Sequence, residues 1–424
     1  DSPMSRGLGD VYKRQVVSVP KNPLTMFLPV FYVGVVVLRT IGHRRNNMGG
    51  ILGLNMVRQQ RKFKPRARTS RELDFESVGK QEEGKIQPPS EDGAFWKIHP
   101  PLSTRLYEKS ALGRRHADGS LSLTASEVLF CHWHRHVPLP NVEWLESELM
   151  KNPRLVYEAI IMDVGRNGGE MIVPTIHRPD DEQLAWGVRW HRDRNHLKEA
   201  YQSSVAIATT HDQLDWRNLL DWCRKANKLG VDAELFVIDD ELDVTMYRID
   251  LIEPTGNLSP WEDLSSKQKQ LFVSNWESKT PTESGSYVRQ TTPWDWEQIG
   301  IEHMSGRILR KEEDTYIQHM IVKESEPTSD SLLMHDLLGR GLLLRPGFKY
   351  GCRWRVYDGD LNDSHAPWLI QPKDEAAVTW EGVCLSVRLA EGVHKQWVCA
   401  ISDDLGWNYL RIQRWLPGKN SSSE

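Results

Sequence analysis

Cysteine is scarce in this chain of 424 residues, and no two cysteines form a CxxC pair. An odd number of widely spaced cysteines argues against a disulfide framework and against a zinc ribbon. It favours a protein of the reducing cytoplasm, which is the location we predict. The five residues are Cys131, Cys223, Cys352, Cys384 and Cys399.

Long apolar runs are also missing. Leu24–Leu38 is mostly apolar, but it spans only 15 residues and is broken by Pro29. That is short for a membrane span. A signal-peptide core and a single anchor remain alternatives. We favour translated upstream DNA, with the start at Met48 or Met56, because nothing downstream looks secreted or membrane-bound.

The formal charge of -4 hides a strong asymmetry. Residues 1–71 carry 14 Lys/Arg against two Asp/Glu, so the rest of the chain is acidic. We predict residues 1–92 to be a disordered or artefactual extension. An acidic body argues against a nonspecific RNA binder, so any RNA contact requires a local basic site.

Two parts of the chain share one order of elements. The pattern predicts a strand at 121–123, and Thr124 and Glu127 form a capping box for a helix that reaches about residue 135. A helix over 215–228 then leads to strands at 233–238 and 244–252 around the acidic turn 239–243. The same order returns as a helix at 380–391 and strands at 396–401 and 408–415.

This recurrence predicts a tandem duplication, with chance similarity as the alternative. Corresponding residues, such as Ile238 and Ile401, lie 163 positions apart. At that offset Lys395 falls on Asp232, so the first copy lacks this cation. We therefore expect one working and one structural copy.

Chemistry-bearing residues are densest in the segment from 332 to 370. We predict a helix over 332–340, with Asp330 as its N-cap, and a strand over 342–344. Residues 349–357 alternate as a strand that places Lys349, Arg353, Arg355 and Tyr357 on one face. His365 opens a further strand to residue 370. Taken alone, Tyr357 is interpreted as a tyrosine that serves packing, and the arginines are interpreted as a face exposed to solvent.

The combination of three segments is more specific. Gly347-Phe348-Lys349-Tyr350-Gly351-Cys352-Arg353-Trp354-Arg355-Val356-Tyr357, then His365, then Arg388-Leu389-Ala390 through Lys395 resembles the nuclease domain of archaeal tRNA-intron endonucleases. The resemblance extends more weakly over residues 95–424. Its two-copy form is similar to the homodimeric enzymes of that family. Glu391-Gly392 departs from the more usual His-Ser, outside the proposed chemistry.

The resemblance implies an α+β and α/β fold in two tandem copies. Each copy would pair a small α+β N-terminal subdomain with a nuclease subdomain like those of restriction endonucleases, built on a mixed sheet. The degenerate copy would comprise residues 93–142 and 143–256. The active copy would comprise 257–328 and 329–424.

The resemblance also implies a cofactor-free reaction on precursor tRNA at a bulge–helix–bulge intron junction. Tyr357 would take the proton of a ribose 2′-OH, His365 would protonate the leaving 5′-oxygen, and Lys395 would stabilise charge on the phosphate. Because an unperturbed phenol titrates near 10, we expect cleavage to rise on the alkaline side.

Further residues take roles from the same resemblance. Arg388 would stack on a base turned out of a bulge, the alternative being a salt bridge to Glu391. Arg411 and Arg414 are weaker candidates for the same groove. The turn with Asp239, Asp240, Glu241 and Asp243 would dock into the opposite copy, the alternative being an ordinary hairpin turn.

Two other functions remain open from sequence. One is a non-catalytic RNA-binding subunit on the same fold. The other is a metal-dependent nuclease that uses Asp358, Asp360 and Asp363. We expect no metal site, since neither the histidines 132, 134 and 136 nor the pair 191 and 196 has suitable ligand partners.

Overall fold

A computed structural model describes residues 70–76, 78, 86–179, 185–361 and 365–415, which belong to one compact unit. The apolar run Leu24–Leu38 lies outside the described residues. Among the residues that are described, no helix is long and apolar enough to cross a membrane.

The first small sheet has four antiparallel strands in the order β1-β2-β4-β3. The predicted boundary at residue 92 falls inside the hairpin of β1 and β2, and as a domain boundary it stays a prediction. The predicted capping box is confirmed, since Thr124 Oγ1 accepts from the Glu127 N–H at 3.3 Å and Glu127 Oε2 accepts from the Thr124 N–H at 2.8 Å. The elements are β1 (Ser90–Asp92), β2 (Phe95–Ile98), α1 (Leu102–Ser110), β3 (Arg114–Arg115), β4 (Leu121–Leu123) and α2 (Ala125–Arg135).

Two helices and five strands follow, with a third helix on the face of the sheet. Asp215 caps that third helix by accepting from the N–H groups of Arg217 and Asn218, and Gly230 ends it in the left-handed conformation. The elements are α3 (Trp144–Lys151), α4 (Leu155–Gly165), β5 (Met171–Pro174), β6 (Gly187–Trp190), β7 (Ser203–Thr209), α5 (Trp216–Leu229), β8 (Asp232–Ile238) and β9 (Val244–Ile252).

A second small sheet repeats the strand order of the first, as β10-β11-β13-β12. Its core contains the aromatic residues Phe272, Trp294 and Trp296 in mutual contact. The elements are α6 (Ser266–Glu277), β10 (Thr280–Thr282), β11 (Gly285–Arg289), β12 (Ile301–His303), β13 (Gly306–Arg310) and α7 (Lys311–Tyr316), which continues as a π-helical turn, Ile317–Val322.

The last part again has five strands and a helix on the sheet. Its first helix starts earlier than predicted, and Thr328, not Asp330, is the N-cap, because the Thr328 side chain accepts from the Ser331 N–H. The elements are α8 (Ser329–Gly339), β14 (Leu343–Pro346), β15 (Trp354–Tyr357), β16 (Trp368–Pro372), α9 (Trp380–Gly392), β17 (Gln396–Asp403) and β18 (Gly406–Arg414).

The five strands β5–β9 and the five strands β14–β18 form one mixed sheet of ten strands. Their order is β14-β15-β16-β17-β18-β9-β8-β7-β6-β5. The predicted mixed α+β architecture is therefore confirmed. The two halves meet at antiparallel β18 and β9, where Ile412 lies opposite Ile249. In both halves the third and fourth strands, β7 with β8 and β16 with β17, are parallel.

Alternate residues of the central strands enter different cores. In β17, Trp397 and Cys399 pack with α5 and α9 on one face, whereas Val398 and Ala400 pack with α8 on the other. The sheet is therefore covered on both faces. Functional side chains are accessible at the ends of its strands. The predicted boundaries at 142, 256 and 328 fall between elements, and as domain boundaries they stay predictions.

Candidate active site

Tyr357 is the last residue of β15 and lies opposite Leu343 of β14. Its side chain is 8% exposed and packs with Leu343, Ala366 and Leu258. The guanidinium carbon of Arg355 lies 5.4 Å from the centre of the Tyr357 ring. Packing thus fixes the phenol at one end of the sheet, beside a cation.

His365 is exposed and immediately precedes the buried residue Ala366. The strand predicted to open at His365 is shorter, because β16 begins only at Trp368. The Pro367 carbonyl already accepts a hydrogen bond from the Gln396 N–H at 2.9 Å. His365 therefore lies in the segment that leads into β16, next to the start of β17.

Lys395 follows the end of α9 and precedes β17. The helix stops at Gly392, and His394 adopts a positive φ of 56°, so Arg388 and Lys395 do not lie on one continuous helix. The Lys395 ammonium donates to the Ala366 carbonyl at 2.6 Å. It also lies 5.8 Å from the centre of the Tyr350 ring.

The structure therefore brings the three predicted segments together around Ala366. Tyr357 packs against Ala366, His365 is bonded to it in the chain, and Lys395 donates to its carbonyl oxygen. A phenol, an imidazole and an ammonium thus come from three segments that meet at one end of β15, β16 and β17.

The prediction of strict alternation over residues 349–357 is wrong. Phe348–Tyr350 forms a 3-10 turn, and Gly351 has a φ of 65°, so the two-residue period begins only at β15. As a result Tyr350 and Cys352 pack toward the core of α5 and α9, while Trp354 packs on the opposite face. Sequence reasoning missed Tyr350, whose ring lies beside Lys395.

The two arginines of this segment, Arg353 and Arg355, have different contacts. Arg353 pairs with Asp330 at 2.6 Å and with Glu375 at 3.5 Å, so it is not available to Tyr357. Arg355 lies near the rings of both Tyr357 and Tyr350, at 5.4 and 5.9 Å. Among the described residues, its buried Nε has no hydrogen-bond partner. Arg355 is therefore the arginine of this strand that belongs to the site.

Cys352 is close to this cluster but is not a nucleophile candidate. Burial raises the pKa of its thiol to about 12, against the opposing effect of Arg355. A thiol is a weak nucleophile unless it ionises. The nucleophile of any reaction here must therefore come from the substrate or from another side chain.

The predicted RNA-binding arginines differ in their partners. Arg411 donates to Asp250 at 2.7 Å and to Gln396 at 3.2 Å. Arg414 donates to Glu391 through its Nε at 2.5 Å. Arg388 is exposed, and Glu391 is bonded to Arg414, not to Arg388.

The acidic turn between β8 and β9 is partly held by its own side chains. Asp239 accepts from the N–H groups of Glu241 and Asp243 at 3.0 and 2.9 Å. Asp240 lies 2.7 Å from His211, with both side chains exposed. Asp239 therefore builds the turn, while Asp240, Glu241 and Asp243 face solvent.

The residue of the first half that corresponds to Lys395 is not the one predicted from sequence. The N–H groups of Lys395 and Val231 each donate to an alanine carbonyl, Ala390 and Ala226, at 2.9 and 3.0 Å. Lys395 thus corresponds to Val231, not to Asp232, because the offset is 164 before the hairpin turn and becomes 163 only after it.

The same register identifies the other two counterparts. Val356 lies opposite Trp368, and Arg189 lies opposite Ser203 at the start of the corresponding strand. Tyr357 and His365 therefore correspond to Trp190 and Ala200. An indole, a methyl group and an isopropyl group replace the three functional side chains, so the first half lacks this constellation.

The histidines considered as zinc ligands have other contacts. His132 is bonded to the Val137 carbonyl and to the Asp74 N–H, and His134 lies 2.6 Å from Asp163. Within the described part of the chain, no group of three His, Cys, Asp or Glu side chains is placed to hold a metal ion.

Comparison with known proteins assigns the segment that holds this cluster. Residues 330–409 match the family model described as tRNA intron endonuclease, catalytic C-terminal domain. This segment is therefore similar to the catalytic domain of that family. The matched range contains Tyr357, His365 and Lys395.

Several curated proteins named tRNA-splicing endonuclease are similar to the chain. The one from Picrophilus torridus is 24% identical over 184 residues, which are 43% of this chain and 56% of that protein. The one from Thermoplasma volcanium is 27% identical over 179 residues, 42% of this chain and 54% of that protein. The chain spans about half the length of these two relatives.

Another protein of the same name matches a shorter stretch of the chain at higher sequence identity. The tRNA-splicing endonuclease of Thermococcus gammatolerans is 34% identical over 87 residues, which are 20% of this chain and 51% of that protein. The likeness to the family is therefore carried mainly by part of the chain, as the family model also indicates.

Proposed function

We propose that this chain is a tRNA-splicing endonuclease that excises introns from precursor tRNA by transesterification without a metal ion. The products would be a 2′,3′-cyclic phosphate and a 5′-OH end. The observation that carries the proposal is the meeting of Tyr357, His365 and Lys395 around Ala366, within the segment matched by the family.

Each side chain has one role in the proposed reaction. Tyr357 accepts the proton of the ribose 2′-OH, whose oxygen then attacks the adjacent phosphorus. His365 donates a proton to the 5′-oxygen as the bond from phosphorus to that oxygen breaks. Lys395 stabilises the negative charge that develops on the other phosphate oxygens.

The contacts of Lys395 are compatible with its role. An ammonium has three N–H donors, and one of them is used by the Ala366 carbonyl at 2.6 Å. That bond orients the group and leaves two donors for phosphate oxygens. His365 is exposed, so an RNA strand has access to its ring.

We propose Arg388 as the main RNA-binding arginine, with Arg411 and Arg414 in supporting positions. Arg388 is exposed, whereas Arg411 and Arg414 are held by Asp250 and Glu391. The substrate feature would be a bulge–helix–bulge junction, in which unpaired bases are accessible for stacking.

We also propose that the chain is a tandem duplication with one active half, that it forms homodimers, and that it acts in the cytoplasm. Equal strand orders in the two small sheets and the mirrored order of the large sheet support the duplication. The replacement of the active cluster by Trp190, Ala200 and Val231 supports a structural role for the first half.

Cleavage of an intron-bearing precursor tRNA in excess EDTA tests the proposal. We expect two cuts, cyclic phosphate and 5′-OH ends, and a loss of cleavage rate of at least about 100-fold in Tyr357→Phe, His365→Ala and Lys395→Ala. Tyr287→Phe is a matched control, because the Tyr287 hydroxyl donates to the Met304 carbonyl, in the turn between β12 and β13 of the second small sheet.

Two outcomes would replace the proposal with its rivals. Cleavage that stops in EDTA and returns with Mg²⁺ would favour a metal-dependent nuclease that uses carboxylates such as Asp358 and Asp360. Specific binding of the precursor without any cleavage would favour a non-catalytic RNA-binding subunit.

A further inference from the structure

We infer that Tyr350 is a positioning residue for Lys395, and that Arg355 connects Tyr350 to Tyr357. Together they keep the ammonium and the phenol of the proposed reaction at a fixed separation. The inference rests on the proposed function, because it takes the roles of Lys395 and Tyr357 from there. Neither Tyr350 nor Arg355 carries out a chemical step in that reaction.

The Lys395 ammonium has neighbours from two other segments of the chain. It donates to the Ala366 carbonyl at 2.6 Å, and it lies 5.8 Å from the centre of the Tyr350 ring. An aromatic ring attracts a cation over its face within roughly 6 Å of the ring centre. Because a lysine ammonium is carried on a flexible four-carbon stem, the second contact restricts the group further than the hydrogen bond alone. Tyr350 therefore holds the ammonium before RNA binds.

The backbone around Tyr350 fixes the ring independently of any substrate. Tyr350 is the last residue of a 3-10 turn, and its N–H group donates to the Gly347 carbonyl at 2.7 Å. Gly351 follows with a φ of 65°, a conformation that glycine adopts without strain. The half-buried Tyr350 ring packs against the core that contains α5 and α9. Packing thus makes the ring a rigid support for the lysine.

Arg355 lies beside both tyrosines of the site. Its guanidinium carbon is 5.9 Å from the centre of the Tyr350 ring and 5.4 Å from that of the Tyr357 ring. Its Nε is buried and has no hydrogen-bond partner in the part of the chain that the structure describes. Lys395, Tyr350, Arg355 and Tyr357 therefore form a series in which cations and aromatic rings alternate.

The first half lacks this arginine. By the strand register that identifies the counterpart of Tyr357, Arg355 corresponds to Val188. Val188 is buried in an apolar cluster with Val173. The half that has valine in place of Lys395 thus also has valine in place of Arg355. An apolar residue is sufficient for the sheet at this position, so the arginine serves the site.

A fixed ammonium affects the chemical step more than the binding of RNA. Positive charge stabilises a transition state best when it is already in place, and a displacement of about 1 Å can slow a reaction about 100-fold. RNA affinity, in contrast, comes from contacts along the whole substrate. Removing the Tyr350 ring should therefore slow cleavage and leave binding nearly unchanged.

Single-turnover cleavage of a precursor tRNA by excess enzyme tests the inference. It separates the rate constant at saturation from the enzyme concentration that gives half of that rate. For Tyr350→Leu we expect a rate constant about tenfold lower and a half-saturating concentration within about twofold of the wild type. Tyr350→Phe keeps the ring, so it should retain at least about half of the wild-type rate constant.

Double variants test whether Tyr350 acts through Lys395. In a Lys395→Ala background, Tyr350→Leu should cause less than about twofold further loss, because the group that it positions is absent. Arg355→Met should also lower the rate constant at saturation, and combined with Tyr350→Leu it should lose about as much as the worse single variant. Tyr201→Leu is a matched control, since Tyr201 is a half-buried tyrosine of the first half, 5.8 Å from the guanidinium carbon of Arg178.

The outcomes distinguish this inference from the proposed function. If the wild type cleaves but Tyr350→Leu matches its rate constant, or loses the same factor with and without Lys395, the positioning role is wrong and the endonuclease proposal stands. Equal losses in Tyr350→Leu and Tyr350→Phe would assign the effect to the hydroxyl and overturn the role of the ring. If the wild type does not cleave, both fail. Thermal unfolding verifies folding, and Tyr350→Met replaces Tyr350→Leu, with the same expectations, if the latter is unfolded.

Discussion

Glu127 shows how a single buried carboxylate organises the first small sheet. It is fully buried, accepts from the N–H groups of Gly113 and Thr124 at 2.7 and 2.8 Å, and lies 2.5 Å from His177 Nε2. Burial alone would raise the pKa of Glu127, but His177 and the two N–H donors outweigh that effect and lower it from 4.5.

We expect Glu127→Gln to lower the free energy of unfolding by roughly 3 kcal/mol at pH 7, because His177 and the N–H donors lose their charged partner. Since the pKa of Glu127 is lower in the folded state, its contribution is present above the unfolded value of 4.5 and is lost as pH falls through the folded value. Urea unfolding at a series of pH values should therefore show the two proteins converging in acid. A gap that is constant with pH would contradict this account, and the exposed Glu241→Gln is the control.

The candidate site could be predicted from sequence at some residues and not at others. Tyr357, His365 and Lys395 were chosen by residue type and family pattern, and their segments do meet. Tyr350 could not be placed by pattern, because the positive φ of Gly351 reverses the chain and transfers Tyr350 to the side of Lys395. A period-two reading assumes a continuous strand, and one residue in the left-handed region is sufficient to break it.

At the scale of elements, the two hairpins differ by one residue in their turns. Five residues separate the paired Ile238 and Val244 of β8 and β9, whereas four separate the corresponding pair, Ser402 and Trp407, of β17 and β18. Sequence comparison at a single offset therefore makes Asp232 the equivalent of Lys395. The backbone hydrogen bonds show that the equivalent residue is Val231. Helix and strand identities were readable from periodicity, but a one-residue difference in a turn is visible only through the register of paired strands.

Arg224 and Arg388 provide a matched pair at corresponding positions of α5 and α9. We expect Arg224→Ala to lower the free energy of unfolding by about 1–2 kcal/mol, because it removes charge-assisted hydrogen bonds to Asp403 and Asn408. Arg388→Ala, at an exposed position, should change it by less than about 0.5 kcal/mol. Denaturant unfolding of both variants measures the difference, and equal effects would show that the arginines are not used differently.

At the scale of the whole molecule, the chain joins its two halves both along the seam of the large sheet and at the end of β18. Trp415, just after β18, is buried in the core that contains α2 and α4. Its ring lies 4.5 Å from the guanidinium carbon of Arg189 and 5.1 Å from that of Arg248. Trp415, which follows the last described strand, is thus part of the core of the first half, so we expect the halves to fold as one cooperative unit.

The acidic turn 239–243 between β8 and β9 presents three exposed acids, Asp240, Glu241 and Asp243. If this turn docks on a basic surface of another copy, reversing its charge must weaken the dimer. We expect Asp240→Lys combined with Glu241→Lys and Asp243→Lys to shift the mass in light scattering from twice the 48.9 kDa of one chain to the single value. Asp239 stays unchanged because it holds the turn through the N–H groups of Glu241 and Asp243.

Asp404→Lys, in the corresponding turn of the second half, is the control. Dimers of unchanged mass and affinity would mean that the turn is an ordinary solvated hairpin, and high salt should dissociate the wild type if the contact is electrostatic.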